Sequence, residues 1–213
     1  MSSIVTLKHY TPLEICSNAI RTCWQSFDKG DDGGEKDKAL IDRVGNKFKH
    51  ASTLEHLYYN FYISDISRAL LQELARHRMS SFSVKSTRYT LYELKKEEEF
   101  LTTDTTRAKK YLVFTGNDMV DEASIKALEN LRIILNNKVP NDIAKFALPE
   151  SYKTELAWSV NARGLQNFLN LRTSKSALWE IRDLAHNIYE ALPEEHKYIF
   201  DCSMQTHKND KVD

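Results

Sequence analysis

Alternating apolar positions occur in two widely separated segments of the chain, residues 57–63 and residues 154–160. A period of two residues is typical of a strand that buries one face. Most of the remaining sequence has the period of helices instead. Helices interleaved with few, separated strands predict a mixed α/β or α+β fold, and residues 1–213 are predicted to form a single domain. The strand order stays open.

The chain contains only 6 Gly and 4 Pro, so most of it is predicted to be regular structure. Helices are predicted over residues 13–24, 36–48, 67–76, 140–149, 162–171 and 177–192, and over residues 105–137 in one or two pieces. Residues 83–90 are predicted to be extended, and residues 28–38 to form an acidic, glycine-rich surface loop. The polar tail, residues 205–213, is predicted to be frayed.

The composition excludes several classes of protein. Lys+Arg and Asp+Glu both number 30, whereas a nucleic-acid binder usually has a basic excess. No apolar stretch approaches the roughly 18 residues that span a bilayer, and residues 1–14 lack the apolar core of a signal peptide. Cys16, Cys23 and Cys202 form no C-x-x-C pair, which argues against a disulfide framework or a zinc site. A cytoplasmic protein that binds neither nucleic acid nor membrane is predicted.

The densest chemical signal lies in residues 73–90, where basic side chains alternate with serine and threonine. Guanidinium groups beside hydroxyls suit phosphate, because forked N–H donors match tetrahedral oxyanions. The alternative is a basic helix C-terminus followed by a polar strand. Ser80 and Ser81 favour local hydrogen bonds over continued helix, so the helix is predicted to end near His77 or Arg78. Arg76 and Arg78 would then diverge and serve different anions.

A second signal lies in residues 159–172, where Arg163 and Asn167 are neighbours one helical turn apart. Asparagine suits hydrogen bonding to a heterocycle, although an ordinary amphipathic helix has the same pattern. His50, Glu55 and His56 match no metal-ligand spacing, so no metal is predicted. The chain has no G-x-G-x-x-G and no P-loop, which makes a Rossmann dinucleotide site improbable.

The spacing of these residues is specific. Arg76-His77-Arg78, seven residues and then Ser86 would arise by chance in about one chain of this length in a thousand. The segment resembles the RHR-x7-S signature of the flavin-dependent thymidylate synthases, the ThyX family. Residues 161–172 are similar to the family's NAR…N…NLR helix, and residues 50–56 to its H-x-S/T-x-x-E-H segment.

The resemblance implies a central, largely antiparallel sheet flanked by helices. It also implies an enzyme that converts dUMP to dTMP, with methylenetetrahydrofolate as carbon donor and NADPH-reduced FAD as hydride source. Family members are homotetramers whose active sites form at subunit junctions. The protein's own role in such chemistry is to hold stacked rings and place charge.

The resemblance also implies roles for individual residues. The residues that would contact FAD, with Glu55 nearby, are Ser52, Arg76, His77, Arg78, Asn161, Arg163 and Asn167. Those that would hold dUMP are Gln72, Arg76, Ser86, Arg88, Lys145 and Arg172. Arg172 would be catalytic, because at the uracil edge it favours the N3-deprotonated form and so activates the ring.

Three positions depart from the family pattern: Val84 stands where many members carry Glu, Lys145 where many carry Arg, and Ser176 where His is common. The alternatives are a flavin- or nucleotide-binding protein without turnover, and an interaction protein whose basic segment binds an acidic partner. The flavin-free thymidylate synthase needs a nucleophilic cysteine, and the cysteines here lack such a setting.

Overall fold

The protein is described by a computed structural model that covers residues 3–205. Its four-stranded sheet has the order β1-β2-β4-β3, and each neighbouring pair is antiparallel. The strands are β1 (Ile4–Tyr10), β2 (Tyr58–Ser67), β3 (Ser80–Val84) and β4 (Lys153–Asn161). The predicted fold class, helices around a largely antiparallel sheet, is confirmed.

Ten α-helices surround this sheet in the part of the chain that the structure describes. They are α1 (Leu13–Thr22), α2 (Glu35–Ile41), α3 (Arg68–Leu74), α4 (Thr87–Thr90), α5 (Thr106–Tyr111), α6 (Asp118–Asn136), α7 (Asn141–Ala144), α8 (Ala162–Arg172), α9 (Trp179–Glu190) and α10 (Glu194–Lys197). A π-helical segment, Asp42–Lys47, prolongs α2. Five 3-10 segments are Phe27–Lys29, Ala51–His56, Leu91–Lys96, Lys145–Ala147 and Asp201–Ser203. No helix within residues 3–205 is long and apolar enough to cross a membrane.

The core explains why apolar and polar residues alternate along the two predicted strands. Buried residues of β2 and β4, among them Tyr59, Phe61 and Trp158, form the main cluster with α1, α3, α8 and α9. Trp158 packs edge-on against Phe168 of α8, with ring centroids 5.1 Å apart. A second cluster joins α5 and α6 with the chain around Tyr152. Apolar burial of this kind is the main favourable term in folding.

One strand at the sheet edge, β1, is absent from the sequence prediction. Val5 and Leu7 alternate with exposed neighbours, but they are only half-buried. The register then shifts between Leu7 and His9, so a bulge interrupts the two-residue period. An edge strand with half-buried side chains therefore gives a weak sequence signal.

A second bulge lies in β2, just before α3. Ile63 pairs with Leu156 and Ile66 pairs with Thr154, so β2 carries one residue more than β4 between these pairs. Asp65 lies at this bulge with φ of 59°, a left-handed conformation that few residues adopt. Its carboxylate lies 2.7 Å from Lys153 Nζ, which holds the bulge to β4.

The predicted helix over residues 67–76 ends earlier than expected. The Ser67 hydroxyl caps α3 by accepting from Leu70 N at 3.0 Å, and Glu180 of α9 accepts from Ser67 N at 2.7 Å. The last helical residue is Leu74, so an end near His77 or Arg78 is wrong. The Ser80 hydroxyl does donate to the His77 carbonyl at 2.6 Å, but the chain has already left the helix there.

The extended segment predicted over residues 83–90 is wrong in its second half. Strand β3 ends at Val84, and Ser86 precedes the short helix α4 with an extended backbone. The Ser86 carbonyl accepts from Tyr89 N and Thr90 N, which closes the first helical turn.

In the predicted tail, Gln205 donates from its backbone to Thr173 Oγ1, and residues 206–213 lie outside the described part of the chain.

Candidate functional site

A cleft of about 570 Å³ opens between the loop after α3 and the junction of β4 with α8. The site residues that line it are Glu55, Arg76, His77, Arg78, Asn161, Arg163 and Asn167. Segments more than eighty positions apart in the sequence thus meet at one place. Ser52 is the exception, since it is exposed on the 3-10 segment Ala51–His56 and does not line the cleft.

Local features of the β4–α8 junction shape one wall of this cleft. Asn161 caps α8, because its Oδ1 accepts from Gly164 N at 2.8 Å. A Cβ at Gly164 would lie 3.1 Å from Val160 Cγ2 and 3.5 Å from the Met79 carbonyl. The absence of a side chain at Gly164 therefore leaves room for Val160 within the junction itself.

The cleft is electropositive. Its three guanidiniums, from Arg76, Arg78 and Arg163, face one carboxylate, Glu55, which pairs with Arg163 at 2.7 Å. The Arg76 and Arg163 side chains are 71% and 56% exposed, so both can reach a ligand. Burial, reinforced by Arg172, lowers the pKa of His77 to about 4, so His77 is neutral at pH 7. Forked N–H donors in such a cleft suit phosphate groups.

A second cleft, of about 560 Å³, lies beside α3 and the last residue of α8. Its polar side chains are those of Gln72, Glu73, Glu150, Arg172 and Ser176. Gln72 Nε2 donates to both carboxylate oxygens of Glu150 at 2.9 Å. Arg172 is 15% exposed and pairs with Glu73 at 2.9 Å. Two of the predicted dUMP residues, Gln72 and Arg172, therefore share one cleft.

Of the other predicted dUMP residues, Arg76 lines the first cleft, whereas Ser86, Arg88 and Lys145 lie beyond the far end of β3. Ser86 lines a groove beside that strand together with Tyr62 and Glu155. The Arg88 carbonyl accepts from Asn141 Nδ2 at 2.9 Å, and Lys145 begins the 3-10 segment that follows α7. The strand separates this group from the RHR segment by about 14 Å along its length. One chain does not bring all six dUMP candidates into one cleft.

Two carboxylates of the second cleft, Glu73 and Glu150, were missed by sequence reasoning. Glu73 had a weak signal, because it precedes Arg76 by three residues on a predicted helix. Two of the departures from the family pattern border the clefts: Val84 lines the Ser86 groove, and Ser176 lines the cleft that contains Arg172. No group of three or more potential metal ligands occurs within residues 3–205.

Sheet and clefts together define an α+β protein with a cationic cleft whose donors suit phosphate groups. Comparison with known proteins narrows this class. The model of the family described as thymidylate synthase complementing protein matches residues 6–196. A flavin-dependent thymidylate synthase of Campylobacter jejuni (strain RM1221) is 68% identical over 197 residues, which cover 92% of this chain and 95% of that protein. One from Helicobacter pylori (strain 26695) is 62% identical and covers 93% and 98%.

A solved structure leads to the same family as these relatives. The crystal structure of thymidylate synthase X from Helicobacter pylori with FAD and dUMP superposes with a TM-score of 0.91 at 58% identity, covering 96% of this chain and 100% of that one. The chain therefore belongs to the flavin-dependent thymidylate synthase family. Its activity is the flavin-dependent synthesis of thymidylate, so the predicted family and enzyme class are confirmed.

Proposed function

We propose that the cationic cleft holds FAD and that Arg76, Arg78 and Arg163 take its phosphates. The chemistry of the lining supports this assignment, since three guanidiniums face one carboxylate and His77 is neutral. Asn161 and Asn167 add amide groups of the kind that bind heterocycles. FAD is bound in the related Helicobacter pylori structure. Bound FAD, reduced by NADPH, would supply the hydride, with methylenetetrahydrofolate as the carbon donor.

The cleft around Arg172 is the proposed place for the uracil ring of dUMP, which the same related structure also contains. A guanidinium beside the ring would stabilise negative charge on N3 and its neighbouring oxygen, because forked N–H donors suit a two-atom acceptor. Gln72 would contact the nucleotide from the same wall. Arg172 is therefore the proposed catalytic residue, through charge placement at the ring.

We further propose that the enzyme is a homotetramer whose sites are completed across subunit junctions. Ser86, Arg88 and Lys145 would hold dUMP from the end of β3 that lies away from Arg172. Close to them in sequence, Tyr89 and Phe146 are 68% and 86% exposed, which is the kind of apolar surface that a partner covers. A cytoplasmic location is proposed as well, supported by three cysteines that are all free thiols.

The test of this assignment is Arg172→Ala. One charge-assisted hydrogen bond is worth about 1.5–3 kcal/mol, so the rate of dTMP formation should fall roughly ten- to a hundred-fold or somewhat more. The flavin absorbance per chain should stay close to that of the parent, because Arg172 lies outside the cationic cleft. Arg107→Ala, which removes a guanidinium from α5, is the matched control. Near-normal dTMP formation by Arg172→Ala would show that the role is wrong.

A further inference from the structure

Three bonds to one short segment fix the guanidinium of Arg172. Nε donates to His77 Nε2 at 3.0 Å, Nη1 to Glu73 Oε2 at 2.9 Å, and Nη2 to the Glu73 carbonyl at 3.1 Å. A guanidinium carries five N–H donors. Within residues 3–205, these bonds use one donor on each nitrogen and leave one N–H on each terminal nitrogen. Two N–H groups therefore remain for a ligand.

The bond to His77 defines the protonation of that ring. A guanidinium has no acceptor, so Nε2 of His77 must offer its lone pair and the ring proton must lie on Nδ1. The ring is buried and packs edge-on against Phe168, with centroids 5.1 Å apart. Its pKa of about 4, lowered mainly by burial, keeps Nε2 available as an acceptor at neutral pH.

Glu73 joins the two clefts. Its Oε2 accepts from Arg172 and its Oε1 lies 3.5 Å from Arg76 Nη1, so one carboxylate spans a guanidinium of each cleft. The Arg172 and Glu73 side chains are 15% and 31% exposed, so water screens their pair only in part. A free arginine side chain has a large number of rotamers. The bonds from Glu73 therefore hold Arg172 in one orientation.

We propose that Glu73 is the positioning residue of Arg172, and that with His77 it holds the guanidinium so that its two remaining N–H groups face the dUMP ring. This inference rests on the proposed role of Arg172. Pre-arranged donors accelerate a reaction because they need no reorganisation in the transition state. Loss of Glu73 should therefore lower kcat through Arg172 and leave flavin binding in place.

Two variants of Glu73 separate the effect of its acceptor oxygen on Arg172 from the effect of its negative charge. Glu73→Ala should lower kcat for dTMP formation about ten- to a hundred-fold, with unchanged flavin absorbance per chain. Glu73→Gln keeps an oxygen acceptor and should recover a large part of the loss. Glu122→Ala, which removes a carboxylate from an exposed pair with Lys126 on α6, is the matched control and should retain the parent rate.

The deciding measurement is the double variant Glu73→Ala/Arg172→Ala. If Glu73 acts through Arg172, the double variant should be no slower than Arg172→Ala alone. Multiplied losses would overturn the positioning role while leaving Arg172 catalytic. A near-normal rate for Arg172→Ala would instead overturn the catalytic role of Arg172, and the positioning role with it. Failure of Glu73→Gln to exceed the rate of Glu73→Ala would also contradict the proposal.

Discussion

Acid should destabilise this protein through a buried histidine outside the clefts. His196, at the end of the sheet near β1, is 1% exposed, and its Nδ1 lies 2.7 Å from the hydroxyl of Tyr59. Burial is the main reason that its pKa falls from 6.5 to about 4. The fold thus favours the neutral ring, and a proton binds more weakly to His196 in the folded chain than in the unfolded chain.

The sign and size of the effect follow from linkage. Between pH 6.5 and pH 4 the unfolded chain binds a proton at His196 that the folded chain does not, so stability falls as the pH falls. For pKa values of 6.5 unfolded and about 4 folded, the free energy of unfolding should drop by about 2 kcal/mol between pH 7 and pH 5. His77 has the same pKa and adds a similar loss.

Urea unfolding at pH 7, 6 and 5, at one protein concentration and ionic strength, measures this loss. His196→Gln should lose about 2 kcal/mol less than the parent over that range, whatever its stability at pH 7. His9→Gln, which changes an exposed ring on β1, is the control and should follow the parent. If parent and His196→Gln lose the same free energy, the buried ring does not carry the effect.

Two further predictions concern assembly and the β2 bulge. Mixing Arg172→Ala chains with Arg88→Ala chains should restore part of the dTMP-forming activity if the residues come from different subunits. Arg172→Ala with Arg76→Ala should restore none, because both side chains contact one carboxylate of the same chain; the reverse pattern would refute this assembly. Asp65→Ala should have a free energy of unfolding about 1 kcal/mol lower than that of Asp65→Gly, and therefore a lower melting temperature. Both variants lose the Lys153 pair, but only alanine is strained at a φ of 59°. Equal melting temperatures would count against strain.

Helices with local signals were predictable to their ends. For α8, Ala162–Arg172, the sequence predicts residues 162–171, because Asn161 is a capping residue and Leu165 and Phe168 mark one apolar face. Strand β4 was predictable for a similar reason, since alternate residues are buried. The β1 strand was not, because its inward residues are only half-buried and its register shifts after Leu7. Neither feature gives the regular two-residue period that predicts a strand.

The candidate site likewise has a part that the sequence predicts and a part that it does not. The RHR segment was found because its residues are adjacent in sequence, and the cleft contains Arg76, His77 and Arg78 together. The contact of Glu73 with Arg172 joins positions 99 residues apart, and no spacing rule encodes it. Ser52 was predicted as a residue of the FAD site by the resemblance alone. Its exposed position on a 3-10 segment depends on how the loop before β2 packs.

The bulge at Asp65 lets β2 carry one residue more than β4 without turning its inward side chains outward. Before it, Tyr59, Phe61 and Ile63 face the core, and after it the inward residue is Ile66. Because the side chains of a regular strand change sides at every step, three steps from Ile63 would turn Ile66 outward. The bulge takes up the extra step, so Ile66 still pairs with Thr154. In a chain that lacked that one residue, Ile66 would be two steps from Ile63 and would face the core without a bulge. The side from which the chain enters α3 therefore tolerates a change of one residue in the length of β2.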